Sequence, residues 1–179
     1  FTTTGSSILT DVEALPQSLL YWRSFTHWVG GMGVLVFLLA VAPARHNGGD
    51  ALHLLRAESP GPQVDKLVPR MHQTAKILYG IYVVMTAIQI VLLLAGGMPL
   101  FDAVTTSFGT AGTGGFGIKN DSLAGYSPYI QTVTTVFMAL FGVNFSVYYL
   151  ILTGAFSKAL FNEEVRVYFG IMLAAIAVI

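Results

Sequence analysis

Long apolar stretches separated by short polar or glycine-rich breaks run along this chain of 179 residues. No charged residue occurs from Ile77 to Phe101 or from Ser122 to Ser157, and both stretches exceed the roughly 20 residues that a helix needs to cross a bilayer. Between Ser24 and Ala44 only His27 can carry a charge. The pattern therefore predicts membrane helices.

We predict four membrane spans, from Pro16 to about Pro43, from Lys76 to about Ala95, from about Pro128 to Phe156, and from near Val165 to the end. Between the second and third spans, Pro99 can start a short helix from Leu100 to about Thr110, which is too short to cross the bilayer. Five glycines in residues 109–117 end that helix, so the chain must loop and turn back. The predicted repeating unit is span, re-entrant loop, span.

An internal repeat supports this unit. A shift of 110 residues places Thr3 on Thr113, Gly5 on Gly115 and Asp11 on Asp121, and a shift of 112 aligns the positions that follow. The second shift matches a proline at each helix start and a glycine within each helix, namely Pro16 with Pro128 and Gly30 with Gly142. Repeated units are a familiar way to build transport pathways.

Composition and charge agree with a membrane protein, because 54% of the residues are hydrophobic, 10% are charged and the mean hydropathy is +0.69. The zero net charge gives no electrostatic footprint for nucleic acid. Seven of the nine Lys and Arg residues fall on one predicted side, in residues 45–76 and at Lys158 and Arg166. The positive-inside rule makes that side cytoplasmic, so both glycine-rich turns face the exterior.

The two Thr-x-Gly turns have the chemistry of a site for a monovalent cation. A ring of backbone carbonyls can replace the hydration shell of a dehydrated ion, and glycine permits the backbone dihedrals that point successive carbonyls one way. The short helix before the second turn aims its partially negative C-terminal end at the same place. Neither turn contains Asp or Glu, which a divalent-selective ring would normally use.

Competing interpretations have less support. Gly112, Gly114 and Gly117 formally match a dinucleotide fingerprint, but no strand precedes them and membrane spans flank them. A secondary transporter of another small substrate or of Na⁺, built from discontinuous helices, is the main alternative. An enzyme is not indicated, because no carboxylate pair, histidine cluster or activated nucleophile emerges.

Four stretches give the chain a resemblance to the Trk/Ktr/HKT superfamily of potassium transporters, and specifically to its bacterial TrkH-like branch. They are Phe1-Thr-Thr-Thr-Gly-Ser-Ser, Trp22-Arg-Ser-Phe-Thr-His-Trp-Val-Gly-Gly-Met-Gly, Thr110-Ala-Gly-Thr-Gly-Gly-Phe-Gly and Phe141-Gly-Val-Asn-Phe. The resemblance implies an all-α membrane protein, with repeated units of helix, pore helix with filter loop, and helix around a potassium-channel-like pore. Four such repeats surround one pore in that family.

On this resemblance the chain is expected to be a fragment from the filter of the first repeat to the start of the third. Residues 1–44 would hold a filter turn and the second helix of one repeat, 45–75 a cytoplasmic loop, 76–157 a complete second repeat and 158–179 the start of a third. The expected K⁺ ligands are backbone carbonyls of Thr3, Thr4, Gly5, Thr113, Gly114 and Gly115. The key glycines are Gly5 and Gly115, with Gly114 as an alternative register.

The resemblance further implies K⁺ uptake, with Na⁺ or H⁺ coupling left open, and no covalent cofactor. It implies a multi-pass protein of the bacterial inner membrane, embedded in the lipid bilayer as a homodimer of the full-length chain. A cytoplasmic, TrkA-like nucleotide-binding ring would regulate it, and nucleic acid is not an expected partner.

Several polar residues in the spans have two possible roles. Arg23 could snorkel to the interface or hold the filter. His27 could hydrogen-bond a neighbouring helix or belong to a proton relay or metal site, for which the sequence shows no partners. Asn144 could bond another helix or contact the ion. Asp102 could cap the short helix or attract cations. Gly30, Gly31 and Gly33 form a small-residue face that predicts close helix packing.

Overall fold

A computed structural model describes residues 1–5, 10–33, 71–152, 154 and 162–178. Within these ranges the chain is helical and contains no strand, as predicted. Six helices are described, and they are α1 (Gln17–Gly31), α2 (Met71–Ala95), α3 (Leu100–Ala111), α4 (Pro128–Phe141), α5 (Phe145–Leu152) and α6 (Glu163–Val178). α2 begins at Met71, so the last residues of the loop predicted for 45–75 are helical instead. α1 ends at Gly31 with Met32 as its C-cap, although the first span was predicted to reach about Pro43. The rest of the predicted loop with its basic residues, residues 34–43 and Lys158 lie outside the described residues.

Prolines fix where two of the helices begin. Pro16 is the N-cap of α1, with φ −61° and ψ 146°, and Pro128 occupies the first turn of α4 behind the N-cap Ser127. Proline suits these positions because its fixed φ is compatible with a helix start and its missing N–H would have no partner there. The prediction of a proline at both helix starts, 112 residues apart, is confirmed.

The short helix α3 is the centre of the packing. It contacts α1, α2 and α4, and most of its residues are buried, including its polar Thr105, Ser107 and Thr110. Two threonines satisfy their hydroxyls within the helix, because Thr105 Oγ1 donates to the Phe101 carbonyl at 2.8 Å and Thr110 Oγ1 to the Thr106 carbonyl at 2.8 Å. A polar helix can therefore be buried among apolar ones.

Two apolar clusters join the helices at the two ends of α3. One contains Tyr82 of α2, Ala111 of α3, Phe141 of α4 and Met32, and the other contains Leu93 of α2, Ala103 of α3, Ile130 of α4 and Met98. The glycines of α1 also pack closely, as predicted. A Cβ on Gly31 would lie 2.7 Å from the Gly112 Cα and 2.6 Å from the Tyr82 hydroxyl.

The third predicted span, from about Pro128 to Phe156, contains a sharp bend that the sequence analysis did not predict. α4 ends at Phe141, α5 begins at Phe145, and the two helices bend by 86° at the break between them. Gly142 forms the C-cap of α4, and Asn144 caps α5 because its Oδ1 accepts from the Ser146 N–H at 3.0 Å. A capping residue after a helix-ending glycine starts a new helix direction.

Helix length and hydropathy identify one candidate membrane span in the described part of the chain, from Ala75 to Ala95. The bent pair α4 and α5 would add a second if counted as one span. α1 and α6 contain 15 and 16 residues in the described ranges.

Candidate functional site: paired Thr-x-Gly turns

The two Thr-x-Gly turns have the same backbone conformation. Thr3 and Gly5 have φ values of 54° and 68°, and Thr113 and Gly115 have values of 57° and 68°. Thr4 and Gly114, which lie between them, keep negative φ. The repeat read from the sequence is therefore also a repeat in backbone geometry, and it pairs Gly5 with Gly115 rather than with Gly114.

The conformation of the second turn (residues 112–117) follows from how α3 ends. The Thr113 N–H donates to the Thr110 carbonyl at 2.8 Å and the Gly114 N–H to the Gly109 carbonyl at 3.0 Å. This is the Schellman pattern, whose αL position is usually glycine but is here Thr113. A β-branched residue at positive φ is a clear outlier, and such strain concentrates at functional sites.

The carbonyl oxygens of both turns are available to a ligand. Among the described residues, no hydrogen bond uses the carbonyl oxygens of the six predicted ligands as acceptors: Thr3, Thr4, Gly5, Thr113, Gly114 and Gly115. Thr4, Gly5, Thr113 and Gly114 are exposed, and Thr3 and Gly115 are half-buried. Neutral carbonyl oxygens in this setting can coordinate a cation.

The first turn packs against the second. A Cβ on Gly5 would lie 3.0 Å from Cε1 of Phe116, in the second turn, and the carbonyl of Phe1 lies against Gly30 of α1. A Cβ on Gly115 would lie 2.8 Å from the Met138 sulfur of α4. Gly5 and Gly115 therefore both have positive φ and close neighbours. Each of these two features disfavours a side chain at that position.

Arg23 and His27, one turn apart on α1, hold the second turn. The Arg23 guanidinium lies 4.2 Å above the Phe116 ring, and its Nη1 is 3.5 Å from the Gly117 carbonyl. His27 Nε2 is 3.1 Å from the Gly112 carbonyl, and its ring meets Phe116 edge to face with centroids 4.8 Å apart. Arg23 thus contacts the second turn through both its ring neighbour and a backbone carbonyl, and its predicted filter-supporting role stays a prediction.

The sequence predicted a hydrogen bond from His27 to a neighbouring helix, whereas the contact is to the Gly112 carbonyl of the second turn, and no role was predicted for Phe116. The spacing of four residues between Arg23 and His27 was the available signal, because it places both on one face of α1. Buried His27 also fills the space beside Gly112 and Gly114, where a Cβ on Gly114 would lie 2.5 Å from the imidazole Nε2.

The segments that follow the two turns are hydrogen-bonded to each other. Asn120 Nδ2 donates to Asp11 Oδ1 at 2.8 Å, Asn120 Oδ1 accepts from the Val12 N–H at 2.8 Å, and the Asn120 N–H donates to Glu13 Oε1 at 3.0 Å. The hydrogen bond from Asn120 lowers the pKa of the Asp11 carboxyl. These contacts fix the outer edges of the two turns relative to each other.

Two predicted polar residues lie away from the turns. Asn144 Nδ2 donates to Glu164 Oε2 at 2.9 Å, so Asn144 bonds another helix as expected, and the residue also caps α5. Asp102 lies in the first turn of α3, but no side chain caps that helix, and its carboxylate accepts from the Tyr126 hydroxyl at 2.5 Å. Burial and this hydrogen bond raise the pKa of Tyr126.

Groups of three or more His, Cys, Asp or Glu residues that could hold a metal ion are absent from the described ranges.

Comparison with known proteins gives consistent matches. The family model TrkH, described as a cation transport protein, matches residues 1–172. The Trk system potassium uptake protein TrkH of Salmonella typhimurium is 38% identical over 181 residues, and that of Escherichia coli K12 is 36% identical; each match covers 99% of this chain and 37% of the relative. An uncharacterized cation transporter of Methanocaldococcus jannaschii is 34% identical, over 100% of this chain and 36% of its own length. The chain thus spans little more than a third of these relatives.

Proposed function

Because the chain belongs to the TrkH family of cation transport proteins, we propose that it forms part of a membrane subunit that takes up potassium ions. The observation that carries this proposal is the pair of neutral Thr-x-Gly turns with matching φ values, whose carbonyl oxygens accept no hydrogen bond from another described residue. The relatives' name, potassium uptake protein, supports K⁺ as the ion.

In this proposal the carbonyls of Thr3, Thr4 and Gly5 form one part of an ion-coordinating ring, and those of Thr113, Gly114 and Gly115 form another. They replace water around a monovalent cation without adding fixed charge. The C-terminal end of α3, which leads directly into the second turn, adds partial negative charge. Two further repeats of the full-length chain would complete the ring around a channel-like pore.

Arg23 and His27 act in this proposal by holding the backbone of the second turn. Their contacts reach the carbonyls of Gly117 and Gly112, on either side of the predicted ligands, so they restrain the turn without taking a ligand oxygen. Asn144 is assigned a structural role at the bend between α4 and α5, because its side chain is engaged by Glu164 and Ser146.

The proposal for the whole protein is a multi-pass subunit of the bacterial inner membrane that works as a homodimer. The part of the predicted loop that precedes α2, residues 45–70, would be cytoplasmic, on the side where a nucleotide-binding regulatory ring binds. Residues 1–44 and 76–157 would be the first two repeats of the pore, and 158–179 the start of the third.

The decisive substitution is Gly115→Ser in the full-length protein. A side chain there is forced into positive φ and against Met138, so the carbonyls move and the K⁺ over Na⁺ flux ratio should fall roughly tenfold, equivalent to about 1.4 kcal/mol. Gly97→Ser is the matched control, because Gly97 has φ +85° but no neighbour within 4 Å and lies between α2 and α3. An unchanged ratio in Gly115→Ser would reject the filter assignment.

Uptake of ⁸⁶Rb⁺ into vesicles distinguishes this function from transport of another substrate. We expect uptake by the wild-type full-length protein without any organic substrate, with unlabelled K⁺ competing for it. A strict requirement for an organic substrate would instead support a secondary transporter.

A further inference from the structure

Three buried polar side chains on α2, α3 and α4 make no hydrogen bond to any described protein group. They are the amide of Gln89, whose oxygen and nitrogen are both unpaired, and the hydroxyls of Ser107 and Thr134. The exposed fractions of these residues are 0%, 0% and 2%. Buried polar atoms in folded proteins are nearly always hydrogen-bonded, so this set requires an explanation.

Helix spacing places the three side chains in one layer between the two apolar clusters described above. On α2, Gln89 lies seven residues after Tyr82 of the first cluster and four residues before Leu93 of the second. On α3, Ser107 lies four residues from both Ala103 and Ala111. On α4, Thr134 lies four residues after Ile130 and seven before Phe141. Spacings of four and seven keep a residue on the same helix face. The three polar groups therefore point into the same three-helix interface.

The hydroxyls of Ser107 and Thr134 also make no hydrogen bond to the carbonyls of their own helices. On α3, Thr105 and Thr110 donate to carbonyls four residues back, and on α4 Thr132 does the same at 2.8 Å to Pro128. Ser107 and Thr134 make no such bond, although they lie on the same two helices. Their polar atoms are thus available to a group in the interface.

We propose that Gln89, Ser107 and Thr134, here called the polar layer, hold one buried water molecule behind α3. Water fits because the amide and hydroxyls together offer donors and acceptors, and a buried water typically makes about three such bonds. An ion fits poorly, because the apolar clusters on both sides leave only these three side chains as ligands, too few to replace the hydration shell of an ion. The water would tie α3, and hence the second turn, to α2 and α4. This inference depends only on the packing of these helices, not on the proposed transport.

A set of thermal unfolding measurements on the full-length protein in detergent tests the shared water. Gln89→Met, Ser107→Ala and Thr134→Val each remove polar atoms while keeping most of the volume, and each should lower Tm by a few degrees. Because all three groups share one water, losing any of them already weakens the same set of hydrogen bonds. The Tm of the triple variant should therefore be no lower than the lowest Tm among the single variants. Thr132→Val is the control, since Thr132 is exposed on the same helix and should change Tm little.

Additive losses in Tm across the three substitutions would overturn the proposal. If Gln89→Met fails to fold, the same test compares the Tm loss of the Ser107→Ala and Thr134→Val double variant with the sum of the two single losses. A high-resolution structure of the full-length wild-type protein provides the second measurement. A density peak within hydrogen-bond distance of all three side chains is expected. Direct bonds among the three side chains, with no such peak, would reject the water site.

Discussion

At the scale of single residues, the same helix ending is made once with glycine and once with threonine. α2 ends with Gly97 N–H donating to the Leu94 carbonyl at 2.9 Å and Met98 N–H to the Leu93 carbonyl at 3.2 Å, which is the pattern found after α3. The residue at positive φ is Gly97 in one case and Thr113 in the other. The left-handed conformation of a non-glycine residue costs about 1–3 kcal/mol. We infer that the stiff side chain of Thr113 fixes the direction of the carbonyls that the proposed function assigns to the ion.

Exchanging these two residue types tests that inference. Thr113→Gly should raise the free energy of unfolding by about 1 kcal/mol, since relief of strain exceeds the added backbone entropy of glycine. Gly97→Thr should lower it by a similar amount. Thermal unfolding of the full-length protein measures both changes in stability. Uptake of ⁸⁶Rb⁺ in competition with Na⁺ should show a lower preference for ⁸⁶Rb⁺ in Thr113→Gly, but not in Gly97→Thr. Loss of stability in Thr113→Gly would contradict the strain argument.

The contact between Asp11 and Asn120 makes a pH-dependent contribution. The Asp11 pKa is lowered below its ordinary 3.8 by the Asn120 hydrogen bond, so the carboxylate stabilises the fold above about pH 4 and loses that effect as pH falls through the lowered pKa. We therefore expect Asn120→Ala to lower Tm at pH 7 and to differ less from wild type at pH 3. Thr132→Ala should give a difference that does not change with pH. If the Tm difference between Asn120→Ala and wild type is the same at pH 3 and pH 7, the Asp11 carboxylate does not contribute through this hydrogen bond.

At the scale of elements, the bend between α4 and α5 depends on close contact with α6. The Tyr168 hydroxyl lies against Gly142 and donates to the Ala139 carbonyl at 3.0 Å, and the Glu164 carboxylate accepts from Asn144. α6 begins with Asn162 as its cap, since Asn162 Oδ1 accepts from the Glu164 N–H at 3.0 Å. The first turn of α6 therefore fixes the bend from one side.

Gly142→Ala should destabilise the protein, because the new methyl group meets the Tyr168 hydroxyl. Tyr168→Phe removes that oxygen, so the double variant should recover part of the loss, which a double-mutant cycle on Tm measures. Gly170→Ala on α6 is the matched control, because its site is open and alanine stabilises a helix by up to about 1 kcal/mol relative to glycine. No coupling between positions 142 and 168 would show that this contact does not hold the bend.

The sequence predicted local elements better than their contacts. The short helix was expected from Leu100 to about Thr110 and runs from Leu100 to Ala111, because Pro99 and the glycines set its ends locally. The bend after Phe141 was missed, since hydropathy stays high across it and its cause includes Tyr168, far along the chain. The contacts of Arg23 with the second turn also join residues more than 90 positions apart, which periodicity cannot identify.

At the scale of the whole molecule, the described part is open where further chain or lipid would pack. α6 has no buried residue, and its apolar side chains are largely exposed, with Ile171 and Leu173 both at 66%. The outer surface of α2 is similarly apolar, with Val84 at 57% and Val91 at 63%. Exposed apolar surface of this extent indicates contact with lipid or with other helices. The match covers only 37% of the Salmonella relative, so that relative has further chain that could supply such helices.

A complementation experiment tests whether the two turns need the rest of the chain to conduct. In the proposed function two turns supply only part of the carbonyl ring, so residues 1–179 reconstituted alone in vesicles should give no K⁺-selective ⁸⁶Rb⁺ uptake. Co-expression with the remainder of the full-length protein should restore uptake, and Gly115→Ser in the shorter piece should then reduce its selectivity. Selective uptake by residues 1–179 alone would mean that copies of this segment complete the ring by themselves, and the proposed four-repeat pore would have to be abandoned.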